Sequence, residues 1–366
     1  MMVKEYELDE LIESITTGLN PRKNFKLNDG GTYNYITIKN IKNGKLVNLD
    51  SCDKVKLEDL KLINRRSNLQ KGDILFNSIG ANGDYYILKE TPTEWNINES
   101  VFSIRVNEKI LPEYLGYYFQ TSKAINYYKS VQTGSTFKSI KISQLKKMKI
   151  PVPSLEQQKE LIEKIQIIEN TIELNENRIK KLNELNDSYY NMLFGDVLIN
   201  SKKLNEKKWD EVLKIINGRN QKQVENKNGK YPIYGSGGIM SYADNYLCKE
   251  NTIIVGRKGN INNPIFVKEK FWNVDTAFGL ETNNDYIIPE YLYQFCKLFN
   301  FNKLNKAVTI PSLTKKDLLE IKIPIPSLDL QNKYKSMYEK ICLYINNITN
   351  ENVNLLDLKN SLINME

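Results

Sequence analysis

A ten-residue segment occurs twice in this chain, once near the middle and once near the C-terminus. Residues 149–158 are KIPVPSLEQQ and residues 322–331 are KIPIPSLDLQ, and the copies lie 173 residues apart in a chain of 366. Other segments repeat in the same order: GDILFNSIG with NTIIVGRKG, WNINESVF with WNVDTAFG, and LPEYLGYYF with IPEYLYQFC. This spacing is far longer than a solenoid repeat. It predicts a duplicated module with pseudo-two-fold symmetry.

Each copy of this segment leads into a long helical pattern. Pro151 and Pro153 favour an extended lead-in, Ser154 suits an N-cap, and Gln157 completes a capping box. The second copy keeps Ser327 but has Leu330 at the capping-box position and Lys359 inside its apolar stripe. Apolar positions three and four residues apart predict two helices that pack as an intramolecular coiled coil, the first about 60 Å long. The predicted contact positions are Leu161, Ile165, Ile168, Ile172, Ile179, Leu182, Ile341, Ile345, Ile348 and Leu355.

The bodies that precede the two helices carry both strand-like and helix-like patterns. YNYITIKNI (33–41) and NTIIVG (251–256) favour strands, and PEYLGYYFQ (112–120) favours a short amphipathic helix. We therefore predict an α+β fold made of two pseudo-symmetric mixed α/β domains and two long helices. The expected boundaries are 1–153 for the first domain, 154–194 for the central helix, 195–326 for the second domain and 327–366 for the C-terminal helix.

Composition excludes several classes of function. The chain has no histidine, which removes the commonest general base and metal ligand, and its four cysteines form no CxxC pair. GSGGIM (235–240) lacks the third glycine of a dinucleotide loop, and the phosphate-loop pattern GxxxxGK[ST] does not occur. We expect no catalytic constellation, no metal site and no cofactor in this chain. An acidic N-terminus and the lack of a long apolar run favour a soluble, cytoplasmic protein.

Charge is distributed unevenly along the chain. The formal net charge is +8, with +6 in residues 1–153 and +6 in residues 195–326, while the two helical segments are slightly acidic. Two basic bodies favour nucleic acid as the partner, because Arg and Lys contact phosphates and guanine, and Asn and Gln contact adenine. The predicted DNA-binding residues are Arg22, Lys23, Asn24, Lys39, Asn40, Arg65, Arg66, Asn77, Ser78, Thr136, Lys138, Arg219, Asn220, Lys222, Gln223, Tyr234, Ser236, Gly237, Arg257, Lys258 and Thr309.

These repeated segments, together with TGSTFKSI (133–140) and YPIYGSGGI (231–239), carry a family resemblance. Over essentially its whole length the chain resembles the specificity subunit of type I restriction-modification systems. The resemblance implies two target-recognition domains, each recognising one half of a split, asymmetric DNA sequence. It also implies that the long helices pack antiparallel and set the gap between the half-sites.

The resemblance further implies partners that carry the chemistry. Two modification (methyltransferase) subunits would dock on the helices and use S-adenosylmethionine to methylate adenine. Restriction subunits would add ATP-driven translocation and cleavage, with ATP and Mg on those partners. The chain itself would be a non-catalytic specificity subunit that acts on double-stranded DNA in phage defence.

Two other readings of the residues remain open at this point. The chain could be a coiled-coil scaffold whose paired bodies bind proteins or glycans. It could also be a self-contained restriction enzyme, which the missing methyltransferase and nuclease motifs disfavour. A steep salt dependence of DNA affinity would separate the DNA-binding hypothesis from the scaffold.

Overall fold

A computed structural model describes residues 4–80, 82–134, 138–305 and 311–364. The chain folds into two compact units. Unit 1 comprises Met1–Leu174 and Glu351–Glu366, and unit 2 comprises Asn175–Asn350. Each unit therefore contains one α/β body and a part of both long helices.

Unit 1 contains short strands and helices ahead of the first long helix. Its strands are β1 (Lys4–Glu7), β2 (Ile12–Thr17), β3 (Tyr33–Ile36), β4 (Ile41–Lys42), β5 (Lys45–Leu46), β6 (Asp53–Val55), β7 (Ile74–Asn77), β8 (Tyr85–Ile87), β9 (Trp95–Ile97), β10 (Val101–Val106) and β11 (Lys149–Val152). Its helices are α1 (Pro21–Asn24), α2 (Leu57–Ser67), α3 (Pro112–Phe119), α4 (Ser122–Val131), α5 (Ile142–Leu145) and the first part of α6 (Leu155–Phe194).

Unit 2 has a similar set of elements. Its strands are β12 (Glu206–Lys208), β13 (Leu213–Asn217), β14 (Tyr231–Gly235), β15 (Gly238–Ala243), β16 (Thr252–Gly256), β17 (Ile265–Val267), β18 (Trp272–Asn273), β19 (Ala277–Thr282) and β20 (Lys322–Pro324). Its helices are α7 (Trp209–Val212), α8 (Pro289–Leu298), α9 (Lys315–Leu319) and most of α10 (Leu328–Asn364).

The sheets of the two units correspond strand by strand. Unit 1 has a four-stranded sheet of order β2-β10-β7-β8, and unit 2 has one of order β13-β19-β16-β17. A three-stranded sheet accompanies each, β6-β3-β9 in unit 1 and β15-β14-β18 in unit 2. Both three-stranded sheets contain one parallel pair, β3 with β9 and β14 with β18. The predicted duplication is therefore a duplication of sheet topology.

The units differ where the three-stranded sheet closes. In unit 2 a tight turn joins β14 directly to the antiparallel β15. In unit 1 residues 37–52 lie between β3 and β6 and contain the hairpin β4–β5. The strand predicted over 33–41 is confirmed over Tyr33–Ile36. It ends there because the Asn40 side chain accepts a hydrogen bond from the Thr37 amide and stabilises a 3₁₀ turn at Ile38–Asn40.

The repeated segment ends one antiparallel strand pair and starts a long helix. β11 pairs with β1 in unit 1, and β20 pairs with β12 in unit 2. Ser154 and Gln157 form the predicted capping box, in which the Gln157 amide donates to Ser154 Oγ and the Ser154 amide donates to Gln157 Oε1. In the second copy Ser327 Oγ accepts from the Leu330 amide.

The second glutamine of the repeat makes the contact that joins body to helix. Gln158 is fully buried; its Oε1 accepts from the Leu111 amide (2.8 Å), and its Nε2 donates to the carbonyls of Lys109 (3.1 Å) and Pro153 (3.0 Å). We call these three hydrogen bonds the Gln158 bridge. They fix the loop before α3 to the first turn of α6.

Unit 2 contains the same three hydrogen bonds at the equivalent glutamine, Gln331. Gln331 is also fully buried; it accepts from the Ile288 amide (2.9 Å) and donates to the carbonyls of Tyr286 (2.9 Å) and Pro326 (2.9 Å). A tyrosine supports each bridge. Tyr114 donates to the Pro151 carbonyl in unit 1, and Tyr291 donates to the Pro324 carbonyl in unit 2.

Both long helices also contribute to the core of each unit. In unit 1, Ile162 and Ile165 of α6 and Ile363 of α10 join the core that contains α3 and β10. In unit 2, Tyr190 of α6 and Tyr334 of α10 lie in one aromatic cluster, with ring centroids 5.1 Å apart. The start of α6 thus meets the end of α10, and the end of α6 meets the start of α10. This opposite order confirms the predicted antiparallel arrangement of the helices.

The Gln158 bridge predicts that replacing Gln158 destabilises the fold more than replacing the adjacent Gln157. Gln158→Leu leaves one buried amide and two carbonyls without their partners, which should lower the free energy of unfolding by about 2–4 kcal/mol. Gln157→Ala removes only an exposed cap and should cost about 1 kcal/mol. Urea denaturation of both variants measures the difference. Equal losses would contradict the role assigned to the bridge.

Candidate nucleic-acid interface

In unit 1 the predicted contact residues gather around the carboxyl ends of β2 and β7. Gly18, just after β2, lies so close to β9 that an added Cβ would stand 1.7 Å from the Ile97 carbonyl oxygen. The loop after β7 is held by hydrogen bonds from the Ser78 amide to the Ser100 carbonyl and from the Gly80 amide to the Lys138 carbonyl. These close approaches bring the segments at residues 18, 78–80, 97–100 and 138 together at one end of the unit.

The basic helix α1 is anchored at this end. Asn20 caps it by accepting from the Arg22 amide, and the Asn20 side chain donates to Glu99 Oε1 (2.7 Å). Phe25, which follows α1, packs edge-on against Tyr35 with ring centroids 5.6 Å apart. The side chains of Arg22, Lys23 and Asn24 are exposed. The contacts of Asn20 and Phe25 therefore fix α1 to unit 1 while the three polar side chains of α1 face the solvent.

Further predicted residues lie on the neighbouring segments. Arg65 and Arg66 are exposed in the last turn of α2, and Arg66 Nε donates to Thr17 Oγ1 at the end of β2. Lys39 is exposed on the 3₁₀ turn, and Lys138 is exposed beside the loop after β7. Of these exposed cations, Arg66 and Lys138 are joined directly to the loops that follow β2 and β7.

Three predicted residues are not at the surface. Asn40, Asn77 and Ser78 are each 4% exposed. Asn77 Nδ2 donates to the carbonyls of Ile38 (3.0 Å) and Ile41 (3.2 Å), and Ser78 Oγ donates to the Ser100 carbonyl (2.7 Å). Each side chain thus bonds to the backbone of unit 1, although Asn77 Oδ1 is buried without a hydrogen-bond partner, and the assignment of all three as DNA contacts is corrected: they shape the loops.

Unit 2 brings its predicted residues to the equivalent end. An added Cβ on Gly218, just after β13, would stand 1.8 Å from the Val274 carbonyl oxygen, as at Gly18. The Arg219 amide donates to the Asn273 carbonyl, and Arg219 accepts at its own carbonyl from Trp272 Nε1. The loop that carries Arg219 is therefore fixed against β18.

Two more loops of unit 2 meet beside it. Ser236 Oγ donates to the Lys258 carbonyl (3.4 Å), which joins the β14–β15 turn to the loop after β16. The Arg257 amide donates to the Thr276 carbonyl, and its guanidinium lies 5.9 Å from the Phe278 ring centroid. Exposed predicted residues on these loops are Arg219, Asn220, Lys222, Gln223, Gly237, Arg257 and Lys258, while Tyr234 and Ser236 are half-buried.

The β14–β15 hairpin also presents exposed apolar side chains that were not among the predicted contacts. Ile239 and Met240 are 53% and 62% exposed. The register between β14 and β15 shifts after Ile233, so a β-bulge turns this part of β15 outward. The sequence offers only the turn glycines as a signal, and it does not indicate which strand face is open.

Two predicted residues, Thr136 and Thr309, lie outside the described residues. The predicted helix contacts lie on the inner faces of α6 and α10. Ile165, Ile168 and Ile341 are buried, and the half-buried positions are Leu161, Ile172, Ile179, Leu182, Ile345, Ile348 and Leu355.

The described residues offer no set of ligands for a metal. Within 4–80, 82–134, 138–305 and 311–364, no group of three His, Cys, Asp or Glu side chains is placed to hold an ion. Cys52, Cys248 and Cys296 are buried free thiols, and burial raises the pKa of Cys248 to about 12. That thiol therefore stays protonated and is a poor nucleophile. None of the described helices combines the length and apolar character needed to cross a bilayer.

The sequence profile of the type I restriction modification DNA specificity domain matches this chain twice, over residues 2–184 and 201–360. The chain belongs to that family. The two matches coincide with the two copies of the module, so the family's domain is the repeated unit. The resemblance, the α+β fold class and the assignment as a DNA specificity subunit, not a catalytic one, are confirmed.

Relatives of this specificity subunit agree with the assignment. A putative type I restriction enzyme MjaX specificity subunit of Methanocaldococcus jannaschii is 24% identical over 360 residues, covering 89% of this chain and 83% of the relative. A putative type I specificity subunit, S.HindORF215P of Haemophilus influenzae, is 27% identical over 153 residues, covering 39% of this chain and 38% of the relative.

Solved structures share the fold of this specificity subunit. The S subunit of a type I restriction-modification system from M. genitalium has a TM-score of 0.59 at 18% identity, covering 98% of this chain and 94% of that one. A chain from a study of type I restriction-modification complex assembly and conformational transition has a TM-score of 0.58 at 17% identity, covering 98% and 96%.

The buried position of Asn77 predicts a local effect on one loop. Asn77→Ala leaves two carbonyls unbonded and should increase amide hydrogen exchange in residues 38–47, with a stability loss of about 1–3 kcal/mol. The adjacent Ser78→Ala removes only the bond to the Ser100 carbonyl and serves as the matched control. Exchange measured by mass spectrometry should change near residue 100 in the control. Unchanged exchange over 38–47 in Asn77→Ala would contradict this role.

Proposed function

We propose that each unit of this specificity subunit recognises one half of a split, asymmetric DNA sequence. The observation that carries the proposal is that the two units share their sheets and glutamine bridges, yet carry different loops at the equivalent end of each unit. A constant scaffold with different recognition loops is the arrangement expected for two half-sites of different sequence. The domain boundaries 1–153 and 195–326 are proposed for the two recognition domains.

The exposed and half-buried residues at these loop ends are the proposed DNA contacts. In unit 1 they are Arg22, Lys23, Asn24, Lys39, Arg65, Arg66 and Lys138, and in unit 2 Arg219, Asn220, Lys222, Gln223, Tyr234, Ser236, Gly237, Arg257 and Lys258. Cations here would contact phosphates and guanine edges, and the amides of Asn and Gln would contact adenine. The apolar Ile239 and Met240 suit contact with thymine methyl groups. Thr136 and Thr309 stay predictions.

The long helices are proposed to connect the half-site readers at a fixed separation and to dock two modification subunits. Large apolar side chains are exposed on the outer faces of both helices, Ile167 and Leu174 in unit 1 and Leu343 and Tyr344 in unit 2. Exposed apolar groups of this size favour a protein partner. Restriction subunits would join that complex in the cytoplasm. S-adenosylmethionine, ATP and Mg would be bound by these partners.

The alternative of a scaffold for proteins or glycans predicts a different response to salt. A DNA-binding surface that neutralises several phosphates gives a steep fall of affinity with salt, about 0.9 in log–log slope for each phosphate contact. A protein- or glycan-binding scaffold has no such dependence on duplex DNA.

Neutralising two cations of unit 2 should weaken DNA binding. In the complex with modification subunits, Arg257→Ala with Lys258→Ala should lower affinity for the cognate duplex about 10- to 100-fold and reduce the salt slope by about 2. Both side chains are exposed at the loop end, so the fold should be preserved. Fluorescence anisotropy over a range of salt concentrations provides the measurement.

A matched control changes the same charge elsewhere in unit 2. Lys322→Ala with Lys333→Ala removes two exposed lysines from β20 and the start of α10, and should leave both the affinity and the slope as in the wild type. An equal loss in both double variants would indicate a general effect of net charge. No loss in the Arg257/Lys258 variant would contradict this interface.

A further inference from the structure

A partly buried ion pair lies between the long helices in unit 1. Lys359 Nζ of α10 donates to Glu169 Oε1 of α6 at 2.7 Å; the Lys359 side chain is 14% exposed and the Glu169 side chain 39%. Tyr117 of α3 donates its hydroxyl to the other carboxylate oxygen of Glu169 at 3.2 Å. Burial, and then the Glu169 carboxylate, raises the pKa of Tyr117, which keeps this donor protonated. We call Tyr117, Glu169 and Lys359 the unit 1 polar layer.

The corresponding layer of unit 2 has different chemistry. The repeat places Asn186 at the position of Lys359, Cys342 at that of Glu169 and Gln294 at that of Tyr117. Asn186 Nδ2 donates to Gln294 Oε1 (3.0 Å), and the Tyr334 hydroxyl donates to Asn186 Oδ1 (3.1 Å). Asn186, Cys342 and Gln294 carry no charge themselves, and the carboxylate in contact with them, Asp187, accepts from Gln294 Nε2 (2.7 Å). Among the described residues the unit 2 layer therefore has no ion pair between the helices, and the two layers cannot replace each other.

This difference separates correct from incorrect helix pairing. Because the helices start from the same repeated segment, a second copy of the chain could present α10 to α10, or α6 to α6. The first pairing places Lys359 opposite Cys342, where it loses its carboxylate, and the second places Glu169 opposite Asn186 and removes the ammonium. The Lys359 ammonium is mostly buried, so losing its carboxylate in the first pairing is costly. Glu169 is 39% exposed, so the second pairing loses mainly the attraction between the two charges, whereas the native pairing satisfies both.

We infer that the Glu169–Lys359 ion pair makes the C-terminal end of α10 pack against the first part of α6, and not against a second α10. Glu169 and Lys359 are positioning residues, because this pairing keeps one copy of each unit in the same molecule. The inference concerns helix pairing and needs no DNA. Its consequence, that two dissimilar readers stay together, rests on the proposed function.

Charge reversal in two separate chains tests this assignment. Glu169→Lys gives a chain with two lysines in the layer, and Lys359→Glu gives a chain with two glutamates. Neither chain can form the ion pair alone. In a dimer whose chains exchange α10, the ion pair forms twice, because the introduced lysine faces the introduced glutamate in one copy of the layer and the native Glu169 faces the native Lys359 in the other. Residues 195–205 lie between α6 and β12, so an exchange across this segment carries the second body together with α10.

The expected result is a change of mass on mixing. Full-length chains with different tags, refolded together, should form a 1:1 heterodimer of about twice the 42.6 kDa of one chain in light scattering. The double variant Glu169→Lys with Lys359→Glu restores the pair within one chain and should be a monomer. Folded heterodimer from two chains that do not fold alone would support the inference equally.

A second ion pair of unit 1 supplies the control. Lys45 Nζ and Glu173 Oε2 are 3.5 Å apart, but both side chains are more than half exposed, so the pair contributes little. Chains with Lys45→Glu and Glu173→Lys should stay monomeric when refolded together. Monomers in the Glu169/Lys359 mixture, or heterodimers in both mixtures, would overturn the assignment. Normal DNA binding in that case would leave the proposed function intact.

Discussion

The buried glutamine bridges are the interactions on which the rest of this fold depends. Gln158 and Gln331 each satisfy one amide and two carbonyls where a body meets the first turn of a long helix. A buried backbone amide or carbonyl without a hydrogen-bond partner lowers the free energy of unfolding by about as much as several exposed contacts raise it. The glutamine side chain therefore fixes the position of the body on the helix. Because both bridges involve the same atoms, each body is attached to its helix in the same way. The loops at the far end of the sheets are then free to differ.

The sequence predicted the features that depend on local pattern. The long helices, the strand–turn–strand segments and the capping box at Ser154 follow from apolar spacing, glycines and prolines, which act over a few residues. The importance of Gln158 was missed because an isolated polar residue in a helix looks like surface. A signal was nevertheless present: the repeat keeps this glutamine in both copies, whereas Gln157 is replaced by Leu330.

The contact residues could be predicted only in part, because residue type indicates what a side chain can bond and not whether it is exposed. Asn77 and Arg22 were equally suitable as DNA contacts, yet Asn77 is turned inward by the 3₁₀ turn that ends β3. Lys359 could not be interpreted from the sequence for a different reason. In the sequence it interrupts an apolar stripe, and only the structure places Glu169 against it.

The family assignment, the duplicated sheets and the differing loops support the central proposal that this chain gives a modification complex its split DNA specificity. The most direct test is a genome-wide map of methylated adenine in cells that express the modification subunits with and without this chain. The account predicts methylation at a motif of two different half-sites separated by a constant gap, and its loss when the chain is absent. Methylation that persists without the chain, or that falls on one continuous motif, would contradict it.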